Sequence, residues 1–209
     1  YYRLDLLLEE RGTYRDDVKR ESQRLGMIRL YTPQRFWDLK NARRNSEIEW
    51  RSKQPKDPDA KETKDDNKPL PPYNAMGDDF HDKLRGIDES MVISSLRKGF
   101  DRHVERSTMD KILRSGIDAV RTMVGTEDLK PAFPGIGDAD SKAAFLGALD
   151  AESTRLERLA GEAGPADLYG TIQRLIKEND KTIKLSHEAL LHEFGNGGTA
   201  ALDEFSAVI

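Results

Sequence analysis

The 209-residue chain is 36% hydrophobic and 34% charged, carries a net charge of −4 and has no cysteine. The missing thiols exclude a disulfide scaffold, thiolate metal sites, iron–sulfur ligation and a cysteine nucleophile. The acidic balance, with a pI near 5.7, argues against nucleic-acid binding through overall charge, and no apolar run exceeds a few residues, so no transmembrane segment is expected.

The sequence opens with Tyr1-Tyr2-Arg3 ahead of Leu4, Leu6, Leu7 and Leu8. Tyr and Arg favour a membrane–water boundary. This start therefore reads either as the interfacial end of a removed segment or as a first amphipathic helix. Position 1 is Tyr, not Met, so the expectation is presequence removal or a start inside a longer chain. No signal peptide pattern is present. These two features give the expectation of an intracellular, mitochondrion-like location.

Thr13 and Asp16 resemble a capping box, with Tyr14, Val18, Leu25 and Ile28 at helical spacing and Gly26 as a stop. Thr32-Pro33 is a cleaner helix start, because Thr caps and Pro at the first position loses no hydrogen bond. Phe36, Leu39, Arg43, Ser46 and Trp50 share one face of the helix that follows. That stripe is only partly apolar, which predicts a helix lying on a surface or against a partner. From Ser52 to about Tyr73 the chain carries Pro55, Pro58, Pro69, Pro71 and Pro72 among charges. Proline forbids regular pairing and the charges resist burial, so an extended strap or tether is expected.

Beyond the strap the pattern is helical. Phe80, Leu84 and Ile87 predict a short helix before Asp88 caps the next. The run from Ser90 to Gly125 reads as one bent helix or two, with Ser107 or Thr108 capping the second. Leu129 to Gly137 reads as a loop. Asp138 or Asp140 then caps a helix bearing Phe145, Leu149, Leu156 and Leu159. Leu168, Ile172, Leu175 and Ile176 mark another, after a break at Gly161, Gly164 and Pro165. Ile183, His187, Leu190, Leu191 and Phe194 mark the next, with Gly195-Asn196-Gly197-Gly198 as its stop and Thr199 capping a last short turn with Leu202 and Phe205. No alternating strand pattern and no repeat at solenoid period stands out. The expected fold is all-α: a helical arm over 1–51, a Pro-rich charged strap over 52–78 and an irregular α-helical bundle over 79–209.

Motifs for catalysis are weak. His187 and His192 flank Glu188, but they are five residues apart, which turns them about 140° away from each other on a helix and spoils a zinc-protease arrangement. One histidine near the core and one at the surface is the plainer expectation. Asp138-Ala139-Asp140 begins like a calcium loop, but Ala143 and Leu149 stand where such a loop needs Gly and Glu. Gly135-Ile136-Gly137 lacks the strand and Lys of a phosphate loop. Glu152 beside Arg155 reads as solvated charge. No catalytic residue, metal ligand or cofactor is therefore assigned.

Residues 29–56 concentrate Arg29, Arg35, Lys40, Arg43, Arg44, Arg51, Lys53 and Lys56 around Trp37 and Trp50. Aromatic and Arg side chains dominate binding energy when buried in an interface. Phe36, Trp37, Arg43, Arg44 and Trp50 are the expected partner-binding residues. The leading expectation is a non-catalytic accessory or scaffold subunit contacting other protein subunits of a large assembly, with anionic lipid head groups as a further contact. The layout of arm, strap and bundle is similar in style to accessory subunits of organellar assemblies such as the respiratory chain or ATP synthase, and that similarity transfers no residue. One alternative is an RNA- or ribosome-associated factor gripping phosphates through 29–56. Nucleic acid is not favoured, because the basic stripe does not continue into the bundle. A second alternative is a helical enzyme with a pocket near His103 or His187 in the 79–209 bundle.

Overall fold

A computed structural model describes residues 15–53, 70–102 and 108–202. Among these residues there are eight α-helices and no strand, so the chain is all-α: α1 (Arg15–Tyr31), α2 (Pro33–Ser52), α3 (Phe80–Lys83), α4 (Glu89–Arg102), α5 (Met109–Val124), α6 (Ala139–Arg158), α7 (Pro165–Lys181) and α8 (His187–Thr199). Two 3₁₀ turns, Glu127–Leu129 and Pro134–Gly137, sit between α5 and α6, where a plain loop was expected.

Helix α5 is the hub. Ile112, Leu113, Ile117, Val120, Met123 and Val124 are all fully buried and share one broad face of the helix, with Lys111, Arg114, Asp118 and Arg121 on the other. It packs most closely against α8. That closeness depends on small residues: a Cβ added at Gly197 would stand 2.5 Å from Ala119 Cβ and 2.5 Å from the Ser115 carbonyl. The Gly195–Gly198 run therefore does not stop α8, as its composition suggested. It lies inside the helix, which continues to Thr199, because the contact with α5 offsets the poor helix propensity of glycine. Thr199 ends α8, its hydroxyl donating back to the Gly195 carbonyl at 3.1 Å, and starts no new helix; Phe205 lies outside the described residues.

Helix starts follow chain chemistry. The Asp88 carboxylate accepts from Met91 N (2.8 Å) ahead of α4, and Asp138 accepts from Ser141 N (2.9 Å) ahead of α6. Ser186 accepts from Ala189 N at 3.3 Å, so α8 begins at His187, with Ile183 buried in the turn before it. Pro33 and Pro165 open α2 and α7. Thr32 does not cap α2: its hydroxyl donates to the Ile28 carbonyl (3.2 Å), tying the α1–α2 junction back onto α1. Gly26 is no stop either, since α1 runs through it to Tyr31. Gly135 is required on steric grounds, because a Cβ there would lie 1.9 Å from the Ile183 carbonyl oxygen.

The amino-terminal third divides differently from the expected arm over 1–51. Met27, Ile28 and Tyr31 belong to the same hydrophobic core as α5 and α8. Tyr31 meets Phe80 and Phe133 edge-on, with centroids 5.3 and 5.2 Å away. Thus α1 joins the bundle at its carboxyl end, and the arm proper is α2. Much of the Pro-rich strap, residues 54–69, lies outside the described residues, as do Thr13, Tyr14 and His103.

Candidate functional site

The five residues expected to bind a partner all lie on α2, which buries none of its 20 residues fully. Phe36 and Leu39 pack onto the edge of the core. Trp37 is half-buried and its indole N–H donates to the Pro71 carbonyl (3.0 Å), so the end of the strap docks on the root of α2. Arg35 pairs with Asp128 at 2.7 Å and adds a second tie to the bundle. Beyond Leu39 two ion pairs run along the chain's own helix. Arg43 pairs with Glu47 (3.1 Å) and Lys53 with Glu49 (2.6 Å) along the helix itself, while Arg44 is half-buried. Trp50 is 63% exposed. The predicted set is thus split: Phe36 and Trp37 anchor the helix to its own chain, and Arg43, Arg44 and Trp50 occupy its outer half.

A second site was not foreseen. Helices α1, α5 and α8 enclose a groove of about 580 Å³, floored by Met27, Ala119 and Gly197 and bordered by Lys19 and Arg20 near one end. Its size falls in the range of small-molecule sites. Its wall holds a hydrogen-bonded chain. Tyr31 Oη donates to Glu193 Oε1 (2.8 Å), and His192 Nδ1 lies 3.0 Å from the same oxygen. His192 Nδ1 is also 3.2 Å from Tyr31 Oη. Asn196 Nδ2 sits 3.0 Å from His192 Nε2. With the amide donating to Nε2, the imidazole proton is assigned to Nδ1, and it points at Glu193. Burial, together with the Glu193 charge and hydrogen bond, drives the Tyr31 hydroxyl well above its ordinary titration range. The chain Asn196–His192–Glu193–Tyr31 therefore runs from α8 into the α1–α2 junction.

Helical spacing places Glu193 one residue from His192 and four from Ala189, a signature no different from any amphipathic helix. Nothing in the sequence marks Glu193 as buried; its partner Tyr31 is 162 positions away. His187, by contrast, is exposed and bonded to Asp180 at 2.7 Å, and lines no part of the groove.

A second buried glutamate is Glu152, on α6, for which the sequence predicts solvation. It is nearly inaccessible, and both its oxygens are taken. Arg155 Nη2 donates at 2.9 Å, Arg174 Nε at 2.8 Å and the Thr171 hydroxyl at 2.7 Å. Burial opposes the charge, but the hydrogen bonds from Arg174, Arg155 and Thr171 and the nearby Arg174 charge prevail and hold the carboxyl at about 2. With every lone pair engaged, this cluster clamps α6 to α7 and offers no free acceptor.

Among the described residues no group of three His, Asp or Glu side chains is placed to hold a metal ion, and no helix is long and apolar enough to cross a membrane. Comparisons with protein-family models, curated proteins and solved structures return no match.

Proposed function

We propose that the protein is a non-catalytic interaction subunit whose outer α2 half docks on another protein. One observation carries this reading: a 20-residue helix buries no residue fully and leaves Trp50, a large aromatic, 63% exposed near its end. In proteins most helical stability comes from packing an apolar face. A partner that covers Trp50 and the adjoining Arg43–Glu47 ladder supplies that packing. Trp and Arg are the residue types most enriched where binding energy concentrates.

The partner fitted to this surface is a protein with an aromatic-accepting pocket rimmed by polar groups. A phosphate backbone fits less well. Arg35, Arg43 and Lys53 already face carboxylates, and each phosphate contact has to break such a pair.

The test is purification of the protein from its native cells, with the wild-type chain and Trp50→Ala compared by mass spectrometry and hydrogen exchange. A partner that co-purifies with the wild type, slows exchange in residues 43–52 and is lost from Trp50→Ala is the expected result. Full protection of residues 43–52 in the isolated monomer removes the basis for the proposal.

A further inference from the structure

A second concavity lies at the root of the arm, apart from the α1–α5–α8 groove. It measures about 360 Å³ and opens between the start of α2, the end of the strap, α3 and the turn at Pro131 and Ala132. Its lining is rich in rings, with Tyr31 and Phe80 at the floor and Tyr73, Pro33 and Pro131 nearer the mouth. These rings are held in place. Tyr31 packs edge-on against Phe80, with centroids 5.3 Å apart, and the Tyr73 hydroxyl donates to Asp78 at 3.0 Å. The Gln34 side chain lines the same wall, is exposed and has no hydrogen-bond partner among the described residues. About one turn further along α2, Trp37 shows what this face accepts: its indole N–H donates to the carbonyl of Pro71, two residues before Tyr73. Leu70, Pro71 and Pro72 lie outside helix and turn. The fixed φ of proline, and the restriction it places on the residue before it, set this stretch on an extended, polyproline-like course.

We propose that this pocket binds a proline-rich segment of a partner protein, running beside the chain's own Pro71 to Tyr73. Three properties select that ligand. Proline offers rigid apolar rings that pack on an aromatic-lined groove. Its segments carry carbonyls but few N–H groups, so the receptor must supply donors. The Gln34 amide is such a donor, and it stands three residues from Trp37 on the same side of α2. A proline-rich segment is also extended before it binds, so little ordering entropy opposes docking. An ordinary peptide of equal length loses more freedom and brings backbone N–H groups that ring faces leave unsatisfied. The pocket is separate from the outer half of α2: Trp50 stands sixteen residues beyond Gln34, about 24 Å along the helix.

The experiment is a backbone amide NMR titration of the full chain with acetylated, amidated hexaproline, against a flexible Gly-Ser hexapeptide with the same end groups. Saturable shifts at Gln34, Asp38, Tyr73 and Ala132 are expected with hexaproline, and the Gly-Ser peptide should bind at least about tenfold more weakly. Gln34→Ala removes the donor at an exposed helical position and should weaken hexaproline by about threefold or more, the loss of one hydrogen bond. Trp50→Ala should bind hexaproline as the wild type does, which separates this site from docking on the outer half of α2. The proposal is overturned if the Gly-Ser peptide binds as well as hexaproline, if saturable shifts are absent or map to another surface, if a folded Gln34→Ala binds unchanged, or if Trp50→Ala loses the peptide.

Discussion

Two buried glutamates show how context decides what a carboxylate does. Glu152 has donors on both oxygens and is held at about 2, below the ordinary carboxylate value near 4.3. A folded-state value below the unfolded one stabilises the native state at neutral pH. That contribution is complete above about pH 4.3 and fades as pH falls through about 2. Its arginine partners are one-third to one-half exposed, so solvent screening trims the gain. Glu152→Gln should therefore lower stability by about 2 kcal/mol at pH 7 and flatten the acid limb of the stability curve between about pH 4 and 2. Urea unfolding across that range measures both effects. At the groove, Tyr31→Phe removes one donor from Glu193 and leaves the edge-on contacts with Phe80 and Phe133 intact. A loss of about 1–2 kcal/mol is expected by the same method. A loss indistinguishable from zero would mean that the hydroxyl contributes nothing at the α1–α2 junction.

At the scale of elements, two helical glycines make opposite predictions from the same change. Gly197→Ala in α8 drives a methyl group into Ala119 and the Ser115 carbonyl, forcing α8 away from α5. Overpacking of this kind costs about 1–3 kcal/mol, which outweighs the gain in helix propensity. Gly147 lies on the exposed side of α6, where a Cβ meets nothing within 4 Å. Gly147→Ala should raise stability by about 0.5–1 kcal/mol through propensity alone. Thermal unfolding should resolve both, since 1 kcal/mol shifts the midpoint by about 2–4 °C in a chain of this size. If the two variants shift the midpoint in the same direction, close α5–α8 packing is not what the Gly195–Gly198 run provides.

For the whole molecule, the core and the arm are separable in energy. The core gathers side chains from α1 and from α3 through α8, whereas α2 contributes only the partly buried Phe36 and Leu39. Trp50→Ala should accordingly leave the thermal midpoint of the isolated protein within about 1 °C, because an exposed residue away from caps and networks contributes little. Differential scanning calorimetry checks this. A drop of several degrees would show that Trp50 packs within its own chain and would remove the aromatic from any interface.

Periodicity and punctuation were enough to read an all-helical chain, the start at Pro33, the cap at Asp88, a cap at Asp138 or Asp140, and the low apolar content of α2. These are local properties, carried by residues within one or two turns of each other. Non-local packing settled the rest. The glycines of α8 read as a stop until α5 lay against them, because propensity has no knowledge of a neighbouring backbone. Glu152 read as solvated, and no motif singled out Glu193, until Arg174 and Tyr31, 22 and 162 positions away, closed over them. The charge state and accessibility of a carboxylate depend on what surrounds it in space, and no spacing along the chain encodes that.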